Sequence, residues 1–74
     1  MEESVKQIIS DIFELNISEI NEDMTMDDVK LWDSMNHINL VLAIEEEFSI
    51  SLDVSDIEEM ISFYDIISVL QQKV

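Results

Sequence analysis

The chain has no cysteine, no glycine and no proline, and only three of its 74 residues are basic. Without cysteine there is no disulfide and no thiolate metal site, so a domain near the lower size limit for unaided folding must be held by apolar burial alone. Without glycine or proline, turns fall to Asn, Asp and Ser. The missing glycine also removes the sharp turn that an EF-hand loop requires at its sixth position. Asn21-Glu22-Asp23 and Asp27-Asp28 do not supply its alternating ligands either, so no specific metal site is expected. Three cations against eighteen acids give a formal net charge of -15. Self-repulsion of that size opposes compaction and is relieved by salt. It excludes nucleic acid as a partner, because phosphates would be repelled, and selects basic protein surfaces instead.

No apolar run is long enough to span a bilayer; the longest starts at Leu40 and is cut by Glu45. The acidic start Met1-Glu2-Glu3-Ser4 lacks the basic and apolar regions of an export signal, so no membrane role and a cytoplasmic location are expected. The apolar fraction of 47% is too high for a disordered acidic tail and fits one globular domain over residues 1–74.

Helical periodicity accounts for most of that apolar content. Val5, Ile8, Ile9, Ile12 and Phe13 form one stripe, with Ser4 expected as N-cap and Asn16 as stop. Asn16 to Asp33 reads as a long irregular connection, packed down by Ile17, Ile20, Met24, Met26, Val29, Leu31 and Trp32. A second helix is expected from Ser34 to Phe48, capped by Asp33. Its apolar arc of Met35, Ile38, Leu40, Val41, Leu42, Ile44 and Phe48 exceeds what one neighbour needs. The helix is therefore central or presents apolar residues to a partner. Glu45, Glu46 and Glu47 at its end oppose the helix dipole. Ser55 with Glu58 predicts a short helix over Asp56 to Met60, and Ser62 with Asp65 predicts a last one carrying Phe63, Ile66, Ile67, Leu70 and Val74. The alternation of Ile50, Leu52 and Val54 resembles a strand, but an isolated strand has no pairing partner. The expected class is all-α: a small four-helix bundle with three longer helices, a short third one and a long loop between the first two.

One place in this scheme has chemical promise. At the first position of the second helix, Ser34 points outward near unpaired backbone N–H groups and the positive end of the dipole, where a phosphodiester would be favourable. A serine after aspartate at a helix start is also an ordinary element of capping. His37, the single histidine, is placed with Asn36 in a polar surface row, Trp32 as a loop anchor at the core edge, and Met24 and Met26 as loop packing.

The run Trp32-Asp33-Ser34-Met35-Asn36-His37-Ile38-Asn39-Leu40-Val41-Leu42-Ala43-Ile44-Glu45-Glu46-Glu47-Phe48 resembles the phosphopantetheine attachment region of acyl carrier proteins. The likeness covers essentially all 74 residues and implies their four-helix fold. It implies that Ser34, with Asp33 alongside, carries a 4'-phosphopantetheine arm taken from coenzyme A by a phosphopantetheinyl transferase. The arm's thiol holds an acyl or aminoacyl group as a thioester, so Ser34 is an attachment point and the protein is not an enzyme. The resemblance further implies a monomer that meets acyl-loading ligases or synthases and acyltransferases through their basic patches. Met35, Ile38, Glu45, Glu46, Glu47 and Asp56 stand where such docking residues fall. Trp32, Asn36 and Asn39 depart from the fatty-acid-synthesis pattern, in which a small residue and acids are usual. The Trp-Asp-Ser form with His37 is more similar to free-standing carriers of specialised pathways, and Asp-Ser-Met is similar to D-alanyl carriers for teichoic acids. The reading of another class is an acidic helical interaction module or nucleic-acid mimic.

Overall fold

The structure is a computed structural model describing residues 1–73. It contains four α-helices: α1 (Glu2–Phe13), α2 (Ser34–Phe48), α3 (Val54–Glu59) and α4 (Phe63–Lys73). Two single 3-10 turns, Ile17–Glu19 and Met26–Asp28, lie in the connection between α1 and α2. The described residues form no β-strand, and the Ile50–Val54 alternation belongs to the link into α3. No helix among them is long and apolar enough to cross a membrane. Val74, placed by periodicity on the last apolar stripe, lies outside the described residues.

The α1 stripe buries Val5, Ile9 and Phe13, with Ile8 and Ile12 half-covered at its edges. The helix begins before the expected cap: Val5 N–H donates to Met1 O, which takes Ser4 into the first turn. It ends at Glu14, whose φ of 56° is left-handed. Ser49 closes α2 in the same way with φ 54°. Glycine is the usual occupant of such positions, because a side chain there costs about 1–2 kcal/mol. A sequence without glycine bears that cost twice.

The long connection is well anchored. Ile20, Met24, Val29 and Trp32 are buried in the common core. Met26 N–H donates to Ile61 O at 2.8 Å and Phe63 N–H to Met24 O at 2.9 Å, an antiparallel bridge that pins the connection to the entrance of α4. Asp28 accepts from both the backbone and the hydroxyl of Thr25, closing the second 3-10 turn.

Leu40, Val41 and Ile44 of α2, which packs on α1, and Phe63, Ile66, Ile67, Val69 and Leu70 of α4 join one buried core. The third helix starts two residues ahead of the Ser55 prediction. Asp53 accepts from Asp56 N–H at 2.8 Å and Asp56 accepts from Asp53 N–H at 3.2 Å, a reciprocal capping box built from two aspartates. Ser62 caps α4 by accepting from Asp65 N–H at 3.0 Å.

Candidate functional site

Ser34 opens α2 with its side chain in solvent. The capping is done by its neighbour: one carboxylate oxygen of Asp33 accepts from Asn36 N–H at 2.8 Å. That division of labour matters, because a serine hydroxyl serving as the cap would be turned back onto the helix. Here the hydroxyl stands clear, beside a helix end that favours anionic groups. The geometry suits a phosphodiester at Ser34 Oγ. Among the described residues no group of three His, Cys, Asp or Glu side chains could hold a metal ion.

The turn carrying Ser34 is held from behind. Asn36 Nδ2 donates to Leu31 O at 2.7 Å, a bond that an aspartate could not make. Trp32 is buried against Phe13, ring centroids 5.0 Å apart and stacked. Its indole N–H donates to His37 Nδ1 at 3.0 Å, and His37 Nε2 lies 2.9 Å from Ile57 O on α3. His37 is thus a bridge between helices rather than a member of a solvent row. The surface row that remains is Asn39 donating to Asn36 Oδ1 at 3.2 Å. Sequence spacing misses the bridge because its far partner is twenty residues along the sequence.

The wide apolar arc of α2 divides. Met35, Ile38 and Leu42 are exposed, at i, i+3 and i+7, one outward stripe beginning next to Ser34. Leu42 thus lies on one stripe with Met35 and Ile38, the two apolar positions expected to meet partners, and its helical spacing from them is the signal that could have found it. Glu46 and Glu47 are exposed. Glu45 is half-buried and accepts from Leu52 N–H at 2.8 Å, tying the end of α2 to the link into α3. Asp56 is engaged with Asp53 and with Lys73 Nζ, 2.9 Å away. Of the six positions predicted to meet partners, four are open to solvent and two hold α3 in place.

The Asp56–Lys73 pair joins α3 to α4. The Lys73 ammonium, then the Asp53 backbone, hold the Asp56 carboxyl below its ordinary value, and the Asp56 carboxylate raises Lys73 above its own. A depressed acid adds stability that is present above its unfolded value and lost as pH falls through the folded one; a raised base loses its contribution as pH rises through the folded value. The tie should therefore be constant across the neutral range and fail at both extremes. We expect Lys73→Met to melt below the native protein at neutral pH and the difference to vanish on strong acidification; a difference that survives there would assign the loss to side-chain packing.

Residues 3–72 match the family described as the phosphopantetheine attachment site. The chain is 32% identical over 69 residues to the acyl carrier protein of Thermotoga maritima, covering 93% of this chain and 85% of that one. It is 32% identical over 71 residues to the acyl carrier protein of Solidesulfovibrio magneticus, covering 96% and 91%. With that of Buchnera aphidicola it shares 36% over 61 residues, covering 81% and 76%. An exposed serine at a capped helix start, in a four-helix fold matched by that family almost end to end, places this protein among the acyl carrier proteins: a carrier on which enzymes act, with 4'-phosphopantetheine as its cofactor.

Proposed function

We propose that the arm is borne on Ser34 Oγ, that residues 1–74 form one domain acting as a monomer, and that the acyl or aminoacyl cargo belongs to a specialised pathway. The observation that carries this reading is an exposed serine hydroxyl whose helix is capped by Asp33 and not by itself. The bound group supplies a terminal thiol for thioester formation, and the protein supplies placement. Both ring nitrogens of His37 are engaged with Trp32 and Ile57, so this histidine is not placed to take the proton lost from Ser34 on modification.

Docking falls to the outward stripe Met35, Ile38 and Leu42, flanked by Glu46 and Glu47. An apolar strip edged by carboxylates suits a partner surface with an apolar centre and a basic rim, and the -15 charge speeds encounter with it. Glu45 and Asp56 contribute indirectly, Glu45 by tying the end of α2 to the link into α3 and Asp56 by tying α3 to α4. The Asp33-Ser34-Met35 step supports a narrower reading within the class, carriage of D-alanine. Incubation with a broad-specificity transferase and coenzyme A is expected to add one phosphopantetheinyl group by intact mass. A protein left unmodified, under conditions that load another carrier, would remove Ser34 as the attachment point. Supplying the modified protein with D-alanine or with fatty acids, each with its ligase, then separates the cargoes.

A further inference from the structure

Trp32 and His37 flank Ser34 in sequence and meet behind it in space. The indole nitrogen is a donor and cannot accept. His37 Nδ1, 3.0 Å from it, must therefore present a lone pair, which puts the ring proton on Nε2. That N–H then has an acceptor 2.9 Å away in Ile57 O. Only the neutral ring in this one tautomer satisfies both contacts; an imidazolium would set two donors against each other at Nδ1. The rings continue a column, Phe13 on Trp32 at 5.0 Å and Trp32 to His37 at 6.2 Å, that reaches from α1 through the connection to α2.

Helix α3 has six residues, too few to be stable alone, and is held by a small number of ties. The Ile57 contact is the one that joins it to the Ser34 turn. Neither ring nitrogen meets a carboxylate. Of the charged side chains on the surrounding elements, Asp33 places its cap bond on Asn36, Glu45 binds Leu52 N–H, Asp53 and Asp56 bond each other and Asp56 also Lys73, and Glu58 and Glu59 on α3, Asp28 and Lys30 in the connection, and Asp11 and Glu14 at the end of α1 are exposed.

We propose that His37 is a positioning residue: as the neutral Nε2–H tautomer it braces the Ser34 turn, through Trp32, against α3, and so fixes the attachment serine relative to the docking surface. The functional consequence rests on the Ser34 reading, while the brace itself can be tested on unmodified protein. Trp32 is the only tryptophan, so its indole N–H is an unambiguous reporter. In the 15N-labelled full-length protein, two-bond ring correlations should show His37 protonated at Nε2. Acidification that protonates the ring would set two donors against each other at Nδ1, and should shift the Trp32 indole N–H, speed its exchange, and speed exchange of the α3 amides with it. His37→Gln, which offers an acceptor and a donor in an uncharged amide, should keep the Trp32 signal unchanged under the same acidification. His37→Leu should give the Trp32 indole N–H an unbonded, fast-exchanging signal at every pH and raise the transferase's KM for the carrier roughly two- to tenfold, the worth of a hydrogen bond, with kcat held. An Nδ1–H tautomer, or a Trp32 signal that follows pH equally in His37→Gln, overturns the brace. An unchanged KM in His37→Leu overturns its role at the site. Failure of the native protein to be modified would sink the Ser34 assignment and leave the ring measurements to decide the brace.

Discussion

Ser34→Ala is expected to abolish loading by the transferase completely while melting with the native protein. The side chain is exposed, the cap is Asp33, and alanine is the better helix former, so the change in stability should lie within about 0.5 kcal/mol. Few substitutions separate function from fold so cleanly in a domain this small. Several other hydroxyls are already committed: Ser10 donates to Leu15 O, Thr25 donates to Asp28, and Ser62 accepts from Asp65 N–H. Intact mass after incubation with transferase and coenzyme A reads the first half of the expectation, and thermal circular dichroism the second. Residual modification of the alanine variant would move the attachment to another hydroxyl. Unfolding of it would mean that Ser34 has a structural part its exposure does not reveal.

Which features the sequence discloses depends on how far apart the interacting groups lie. The Asp33 cap is local, three residues from the amide it binds, and spacing alone locates it together with the start of α2. The α1 stripe is equally local, but its beginning is not, since Ser4 matches a capping pattern and the backbone continues past it to Met1. At α3 two capping boxes overlap in the sequence, Ser55 with Glu58 and Asp53 with Asp56. The aspartate pair prevails where buried Leu52, bound through its N–H to Glu45, sets the entry into the helix. That bond spans seven residues and is invisible to periodicity. The apolar arc of α2 is visibly too wide, yet which half is buried follows only from where α1 and α4 settle. His37 marks the limit: a polar residue one turn after a surface serine reads as solvated, and its inward turn depends on Trp32 and on an α3 carbonyl that tertiary packing brings near. Trp32, Asn36 and His37, each notable on its own in the sequence, turn out to hold the Ser34 turn from behind, Trp32 and His37 through a bond to each other and Asn36 through one to Leu31 O.

The same column governs the largest stability effect expected in the protein. Phe13 is 1% exposed, one of the largest fully buried side chains, and lies stacked on Trp32. Truncation of a buried phenylalanine costs about 3–5 kcal/mol. A domain of this length has a total stability of roughly 4–11 kcal/mol, and a charge of -15 with no cross-link argues for the lower part of that range. Phe13→Ala should therefore lower the melting midpoint by roughly 12–40 °C and leave a substantial unfolded fraction at room temperature in low salt. Added salt should restore part of the fold by screening the repulsion, without refilling the cavity. Phe13→Leu keeps most of the volume and loses the ring contact, for which a cost nearer 1 kcal/mol is expected, roughly the worth of an aromatic pair. Urea or thermal melts followed by circular dichroism give the magnitude, and Trp32 fluorescence gives the location. A loss under about 1 kcal/mol for the alanine variant, well below the usual cost of such a truncation, would mean that the core closes around the gap and that the column is not a support. If it is a support, the Trp32–His37 bond should be lost in Phe13→Ala at temperatures where the helices persist, because the indole that presents its N–H to His37 is held in place by that ring.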